Sequence, residues 1–317
     1  MMRRTLLAAV GAMALTFPAL AQNKVTRIVV AFAPGGPVDT VGRILAEQLT
    51  KDLGRQVIVD NKPGANGAIG AQDVLRSAPD GNTMWITSVG AVAINPALYP
   101  DLPYNMTKDF APVSIVVNNV EILVVNPKNP AKSPKDFIAN AKANPDTSVA
   151  SSGIGSIPHL AMEQLGDATG AKFMHVPFKG AAPAIAEVLG GHVSGFFGDV
   201  PGLISYIKSG RLTPIAVASA KRHPALPDIP TFEEHGFKGI DTNNWYALFV
   251  SAKTAPDVVA SLNKSVRTAL MNPEVNAKLT SLGADPAPST PEELAAILKG
   301  DTDKWGILIK AKQIKAE

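Results

Sequence analysis

Cysteine is absent from this 317-residue chain. Its absence excludes disulfide cross-links, thiol nucleophiles, thiolate metal sites and lipid attachment through an N-terminal cysteine. Aromatic residues are also few, at 6% of the chain, whereas 46% of the residues are hydrophobic. Burial of apolar side chains must therefore stabilise the fold, and the length is sufficient for two domains of ordinary size.

The chain also lacks a marked excess of charge. Its formal net charge is +3, and two of the positive charges, Arg3 and Arg4, lie in a segment that we expect to be removed. Without them, 28 Lys and Arg residues face 27 Asp and Glu residues. No basic stripe and no alternation of basic with aromatic residues is present, so nucleic acid is excluded as a partner.

Long hydrophobic runs are lacking except at the N-terminus. There "MMRR" is followed by the apolar stretch "TLLAAVGAMALTF" and by the small-x-small sequence Ala19-Leu20-Ala21. A transmembrane anchor is the alternative, but the run is shorter than the roughly 20 residues that a bilayer requires. We interpret residues 1–21 as a signal peptide cleaved after Ala21, which predicts an exported protein.

Signatures of common catalytic and cofactor sites are missing as well. The glycines of "GANGAIG" have neither dinucleotide-binding nor P-loop spacing, and no GxSxG nucleophile motif occurs. The five histidines form no HxxxH pair, so we expect no metal site and no cofactor. A hydrolase or lyase remains as an alternative, for which His159 and Asp199 are the only acid–base pair that we can nominate.

The sequence is rich in segments that read as strand, glycine loop and helix. "TRIVVAF", "RQVIVDN" and "NTMWITS" are strand-like in the first third of the chain, and "TSVAS", "AKFMHVPF" and "HVSGFFG" follow in the middle. Most of them lead into a glycine-containing loop and a helical pattern. This alternation predicts an α/β fold with mainly parallel sheets that are covered by helices.

The series is interrupted twice, near Val116–Val125 and near Asn243–Val250. We interpret these apolar runs as two strands that cross between lobes and act as a hinge. The expected organisation is lobe 1 over residues 22–120, lobe 2 over 121–242, and a return to lobe 1 with C-terminal helices over 243–317. One compact α/β domain is the alternative.

The loop after the first strand, Ala33 to Thr40, contains Pro34-Gly35-Gly36-Pro37. It ends at a helix N-terminus, where backbone N–H groups and the helix dipole attract anions. Asp39 and Thr40 are candidates to cap the helix or to order water, and a β-branched residue at Gly36 is expected to strain the turn. The alternative is a tight turn that holds no ligand.

Two further loops open helices in the predicted second lobe. In "SSGIGSIPHL", Ser156 is a good N-cap, and His159 either contacts a ligand or satisfies its own neighbours. In "PFKGAAPA", Phe178 offers a flat apolar wall, and Lys179 is either the one nearby cation or a solvated lysine. Several anion-receptive loops without a reactive group favour a carrier that holds a carboxylate by its backbone.

These motifs resemble those of the Bug family, the exported solute-binding receptors of tripartite tricarboxylate transporters. The resemblance covers nearly the whole mature chain in order. Its segments are "VAFAPGGPVDTVGRILA", "VIVDNKPGANGAIGA", "APDGNTMWIT", "INPALY", "SSGIGSIPHLAME", "VPFKGAAPAIAEVLGGHVSGFF", "GRLTPIAVASAKRHPALPDIPTFEEHGF" and "NWYALFVSAKTAPDVV".

The resemblance implies a two-lobed periplasmic binding protein fold that closes on a small organic carboxylate. It also implies a periplasmic location and membrane permease subunits as partners of a monomer. Phe178 stands where many members have Tyr, Pro37 and Val38 make the first loop less polar, and Asn66 replaces a frequent Gly. The first two departures make the pocket more apolar, which disfavours amino-acid and hydroxy-acid ligands and favours an aliphatic or aromatic carboxylate. The implied ligand-binding residues are Gly35, Gly36, Asp39, Thr40, Ser88, Ser152, Gly153, Ser156, His159, Phe178, Lys179, Gly180, Ala181 and Asp199.

The resemblance leaves one functional alternative open beside the hydrolase or lyase. A sensory receptor that presents the same ligand to a membrane kinase would carry the same binding motifs. The sequence does not distinguish the two roles.

Overall fold

A computed structural model describes residues 25–315 of the chain. The predicted signal peptide, residues 1–21, lies outside the described residues. Within them, every helix is too short or too polar to cross a bilayer. The strands are β1 (Thr26–Val30), β2 (Val57–Asn61), β3 (Thr83–Ser88), β4 (Phe110–Val125), β5 (Ser148–Ser151), β6 (Met174–Pro177), β7 (Gly195–Asp199), β8 (Thr213–Val217), β9 (Asn243–Ser251) and β10 (Asp285–Pro286).

Helices follow most strands and cover both faces of the sheet. They are α1 (Pro37–Leu53), α2 (Ala68–Arg76), α3 (Asn95–Leu98), α4 (Met106–Asp109), α5 (Pro134–Ala143), α6 (Ile157–Thr169), α7 (Ala181–Gly190), α8 (Val200–Lys208), α9 (Pro256–Met271), α10 (Pro273–Ser281) and α11 (Pro291–Lys312). Helix α1 shows how the sequence sets its bounds. Pro37 occupies the first turn, where no N–H is needed, and Gly54 ends the helix with φ +61°.

The strands form one curled sheet with two halves, in the order β2-β1-β3-β9-β4-β7-β5-β6. We call the half that contains β1, β2, β3 and β9 lobe 1, and the half that contains β5 to β8 lobe 2. In each lobe three strands pair in parallel, β2-β1-β3 and β7-β5-β6. The two-lobed α/β fold expected from the sequence is confirmed.

Strand β4 is long enough to belong to both lobes. Its residues up to Val120 pair antiparallel with β9, ending at Asn243. From Glu121 onward the same strand pairs antiparallel with β7 and β8. The antiparallel crossing strands therefore join two parallel sheets edge to edge.

Each lobe has its own core. In lobe 1, Trp85 is fully buried and its ring contacts those of Tyr104, Phe110 and Phe249. In lobe 2 the sheet separates two apolar clusters, and the consecutive residues Phe196 and Phe197 belong to different ones. This separation follows from the strand geometry, because successive side chains point to opposite faces.

Candidate functional site

The loop after β1 is organised by the carboxylate of Asp39, which is buried in the first turn of α1. The Gly35 N–H donates to Asp39 Oδ2 at 2.9 Å, and Arg43 Nε donates to the same oxygen at 2.9 Å. Asn61 Nδ2, at the end of β2, donates to Oδ1 at 2.9 Å. The Asp39 side chain is therefore committed to shaping the loop.

Electrostatics keep Asp39 ionised. Burial acts to raise the pKa of Asp39, but the hydrogen bonds from Arg43, Gly35 and Asn61 outweigh burial and hold it below its usual value. Arg43 balances the charge. Because the Gly35 N–H is already used and the Thr40 N–H donates to Gly36 O, the first-turn amides of Gly36, Val38 and Asp39 are the donors left, and Pro37 contributes none.

Hydrogen bonds of serine side chains within the loop after β5 hold its conformation. Ser156 caps α6 by accepting from the His159 N–H at 3.4 Å, and its hydroxyl donates to Gly153 O at 2.7 Å. Ser151 Oγ donates to Gly153 O and accepts from its N–H, each at 3.1 Å. The hydroxyl of Ser152 has no hydrogen-bond partner among residues 25–315, so it is free to bond a ligand.

The side chain of His159, in the first turn of α6, also holds this loop in place. Its Nδ1 accepts from the Gly155 N–H at 3.1 Å, and its Nε2 faces Glu163 at 3.7 Å. Its ring stacks on that of His175, with centroids 3.9 Å apart and planes 4° apart. Burial, followed by the charge of His159, lowers the pKa of His175 to about 3. The two stacked rings therefore support the loop.

The third loop, between β6 and α7, approaches lobe 1 through Gly180. Its φ of +117° suits glycine, and its N–H donates to Ser152 O at 3.1 Å. Phe178 packs against the core of lobe 2, and Lys179 is exposed to solvent. Ala181 begins α7 and faces the space between the lobes.

The floor of the space between the lobes is formed by side chains of the crossing strands. Glu121 of β4 lies opposite Asp199 at the end of β7. Asn244 Nδ2, on β9, donates to Asp199 Oδ1 at 2.7 Å and to Glu121 Oε1 at 3.1 Å. Burial, and then the charge of Asp199, raise the pKa of Glu121 well above its usual value. Burial also raises the pKa of Asp199.

These elements enclose a cavity of about 20 Å³. That volume holds roughly one or two water molecules, so the lobes are closed on each other, and a carboxylate with more atoms than that needs them farther apart. The N-termini of α1, α6 and α7 all face it. Its lining residues are Phe32, Gly36, Pro37, Val38, Ser88, Ser152, Ser156, Ile157, Pro158, Ala181, Asp199 and Asn244.

Of the residues proposed from the sequence, the structure brings six into the cavity lining and places the others around it. The six are Gly36, Ser88, Ser152, Ser156, Ala181 and Asp199. The others either shape the loops or lie outside the lining. They are Gly35, Asp39, Thr40, Gly153, His159, Phe178, Lys179 and Gly180.

Sequence reasoning missed Phe32, Asn244 and Glu121. Phe32 lies two residues after the end of β1, within the apolar run that is assigned to the strand from the sequence. Asn244 lies in a segment that was interpreted only as a hinge. Glu121 carried a usable signal, because it is the single acid in the apolar run "VEILVV" of β4.

The structure accounts for Asn66, which stands where members of the Bug family frequently have Gly. Its φ is +44°, a left-handed conformation that glycine adopts freely and asparagine tolerates. Its Nδ2 donates to Asn95 Oδ1 at 2.9 Å, and Asn95 Nδ2 donates to Asn66 O at 3.2 Å. These two bonds fix the loop before α2.

Among the described residues, His159 and Asp199, the nominated acid–base pair, form no hydrogen bond with each other. Both nitrogens of His159 face Gly155 and Glu163, while Asp199 bonds Asn244. Among residues 25–315, no three His, Asp or Glu side chains converge as a metal site would need. The geometry is that of a binding cleft.

Comparisons with known proteins agree with this geometry. The family described as "Tripartite tricarboxylate transporter family receptor" matches residues 41–314. Protein BugT of Bordetella pertussis is 33% identical over 297 residues, which cover 93% of this chain and 90% of BugT. The periplasmic binding protein BugD is 34% identical, with a TM-score of 0.88 over 92% of this chain and 99% of BugD.

Two ligand-bound structures are also similar. Rpa4515 of R. palustris with adipate is 30% identical, with a TM-score of 0.88 over 92% of this chain and 97% of that one. MatC of Rhodopseudomonas palustris with bound malate is 30% identical, with a TM-score of 0.85 over 92% of this chain and all of that one. With the match over residues 41–314, these similarities show that the chain belongs to the tripartite tricarboxylate transporter receptor family, the Bug solute-binding proteins, which are not enzymes.

Proposed function

We propose that this protein captures a small, largely apolar organic carboxylate in the periplasm and delivers it to the membrane permease of a tripartite transporter. The observation that supports it most directly is that the N-termini of α1, α6 and α7 face one cavity, to whose lining residues 25–315 contribute no Lys, Arg or His. Each helix end is equivalent to roughly half a positive charge. The hydroxyls of Ser88 and Ser152 add donors for carboxylate oxygens.

The apolar part of the lining supports the ligand class. Phe32, Val38, Ile157 and Ala181 surround the polar groups, which suits an aliphatic or aromatic body between polar ends. The related proteins with adipate and malate make dicarboxylates the first candidates. A role in sensing would use the same cleft, and no observation in the structure favours it over transport.

A thermal-shift panel tests the ligand class, with adipate, malate and benzoate as carboxylates and adipamide as the uncharged control. At a concentration of 100 Kd, a ligand that binds only the folded state adds about 2.7 kcal/mol of stability. We expect at least one carboxylate to raise Tm and adipamide to leave it unchanged. Stabilisation by adipamide alone would contradict the proposal.

We also propose that residues 22–120 and 243–317 move as one lobe against residues 121–242. The change of β4 pairing between Val120 and Glu121 supports this division. Ligand that contacts both lobes favours the closed state. Small-angle scattering should show a smaller radius of gyration when a carboxylate saturates the protein, whereas an unchanged profile would contradict the movement.

Two further proposals concern the mature protein. We expect cleavage after Ala21, and we expect the exported receptor to be a monomer. Mass spectrometry of periplasmic material should find Gln22 at the N-terminus. Light scattering of the same material should give the mass of one mature chain. A retained Met1, or a dimer mass, would contradict the respective statement.

A further inference from the structure

Two carboxyl groups lie side by side behind the ligand cavity. Glu121 and Asp199 are register partners on β4 and β7, and their exposed fractions are 0% and 6%. Asp199 contributes to the cavity lining, whereas Glu121 lies behind it. Asn244 donates one bond to each of them. A ligand in the cavity therefore meets one member of a connected acid pair.

In the part of the chain that the structure describes, no cationic side chain acts on this pair of carboxyls. The titratable groups that act on the two carboxyls are the carboxyls themselves and Tyr246 of β9, whose own pKa is raised by burial and by the two acids. No Lys, Arg or His of residues 25–315 lines the cavity. Two adjacent carboxyl groups in such surroundings do not both ionise, so the pair holds at least one proton near neutral pH.

The hydrogen bonds of the two carboxyl groups indicate which of them carries this proton. Oε1 of Glu121 accepts from Asn244, whereas Oε2 is buried without a well-formed hydrogen bond. An ionised carboxylate would be poorly satisfied there, and a protonated one is tolerated. Glu121 therefore carries the first proton, and Asp199 retains the negative charge that faces the cavity.

A carboxylate ligand changes this balance. Helix N-termini attract it, but it must lie beside the charge of Asp199 in a closed cavity from which water is excluded. Like charges repel strongly at low effective dielectric, and protonation of Asp199 removes the repulsion. A protonated Asp199 also offers an O–H donor to a ligand oxygen, while its Oδ1 still accepts from Asn244.

We propose that Glu121 and Asp199 form a proton-binding site that fills together with the ligand cavity. The carboxylate enters as an anion, Asp199 takes up one proton from solution, and the closed complex holds both. This inference rests on the proposed function, because the repulsion exists only if the ligand is an anion. By linkage, the ligand and the proton each strengthen the binding of the other.

Calorimetry of the wild-type protein tests the uptake directly. The titrant is adipate or malate, whichever gives the larger thermal shift, and the buffers are phosphate and Tris at the same neutral pH. The observed heat should differ between the buffers by an amount that corresponds to about one proton per ligand. The Kd should rise about tenfold per pH unit as pH increases from about 6 to 8, where these ligands stay ionised.

Isosteric variants locate the proton. Asp199→Asn keeps the acceptor for Asn244 and presents an N–H to the ligand, so proton uptake should vanish and Kd should become independent of pH. At about pH 8 this variant should bind more tightly than the wild type. Glu121→Gln removes the neighbouring acid, so uptake should persist but move to lower pH.

Asp301→Asn is the matched control. Asp301 is another carboxyl whose pKa is raised by burial, and it accepts from Trp245 Nε1 at 2.7 Å. Trp245 follows Asn244 in β9, so it points to the opposite face of the strand. This variant should retain the proton uptake of the wild type.

Two outcomes would overturn the inference, and a third would overturn the proposed function on which it rests. Carboxylate binding with equal heats in both buffers would show that no proton is taken up on binding, but it would leave the proposed function intact. Loss of binding by Asp199→Asn at every pH would show that Asp199 acts as an ionised acceptor. Failure of every carboxylate in the panel would instead overturn the proposed function.

Discussion

Gly180 of lobe 2 lies directly against the backbone of Ala33 in lobe 1. A Cβ atom built on Gly180 would stand 3.3 Å from the Ala33 nitrogen. Gly202 makes a similar approach to Pro37, with its Cβ position 3.1 Å from Pro37 Cδ. In this closed arrangement, backbone of one lobe lies against the first loop of the other, and small residues make this approach possible.

Gly180→Ala should weaken ligand binding by about tenfold, or roughly 1.4 kcal/mol. The added methyl group meets Ala33 in the closed state, whereas an open state separates the two. Gly180 has φ +117° and ψ 176°, a backbone conformation open almost only to glycine, so alanine also costs roughly 1–3 kcal/mol of folding free energy in either state. Calorimetry measures the affinity and urea unfolding the stability.

Gly170→Ala controls for the backbone cost. Gly170 has φ +70° at the end of α6, and a Cβ there would meet nothing within 4 Å. This variant should lose stability and keep its affinity. Equal loss of affinity in the two variants would contradict a role for Gly180 in closure.

Gly36→Val should abolish measurable binding, with at least about a 100-fold loss, or roughly 2.7 kcal/mol. The expectation that it strains the turn is wrong, because Gly36 has φ −79° and ψ 171°, an extended conformation that suits valine. Its side chain instead occupies a cavity of only about 20 Å³. Near-normal affinity with a folded protein would show that the ligand binds elsewhere.

Gly35→Ala tests backbone strain in the same loop without placing a side chain in the ligand cavity. Gly35 has φ +80°, and a Cβ there would meet nothing within 4 Å. We expect a loss of about 1 kcal/mol in the free energy of unfolding and little change in affinity. A large loss of affinity would show that the loop conformation itself sets binding.

Lys179→Ala should change affinity by only a few-fold, or about 1 kcal/mol or less. Lys179 is exposed and lies outside the cavity lining, where amides and hydroxyls are the donors that we propose for the ligand. Lys172→Ala, at another exposed lysine, controls for the change in net charge. Loss of binding in Lys179→Ala alone would show that a salt bridge holds the carboxylate.

His175 should make the protein less stable in acid. Its folded pKa of about 3 lies below the ordinary 6.5, since burial and then His159 disfavour its charged form. Below about pH 6.5 the unfolded chain takes up this proton and the folded chain does not. The free energy of unfolding should therefore fall by up to about 1.4 kcal/mol per pH unit between pH 6.5 and 3.

His175→Gln should reduce this acid dependence in urea unfolding at neutral pH and at about pH 5. The control is His192→Gln, because the side chain of His192 is 69% exposed and pairs with Glu187 at the surface. An unchanged pH dependence in His175→Gln would assign the acid sensitivity to other groups.

The local features of this protein follow from the sequence alone. Hydrophobic runs followed by glycine loops identified the strands β1, β3, β5 and β7, since a buried parallel strand has to be apolar on both faces. Ser156 was recognised as a helix cap from its position before "IPHL", and the structure places it there. Such signals are carried by a few neighbouring residues.

The sequence could also have shown the Asp39–Arg43 pair, because residues four apart meet on one face of a helix. It could not show that Asp39 would use the Gly35 N–H and leave fewer donors for a ligand. That outcome depends on Asn61, which β2 brings beside the loop from another part of the chain.

Only the tertiary structure decided the floor of the site. Glu121, Asp199 and Asn244 are far apart in sequence and come from three strands, and the pairing of β4 with both β7 and β9 places them together. Strand register is a long-range property, set by the packing of whole sheets rather than by neighbouring residues. The charge of a buried carboxyl depends on what surrounds it, so the proton at this site could be inferred only after the strands were in place.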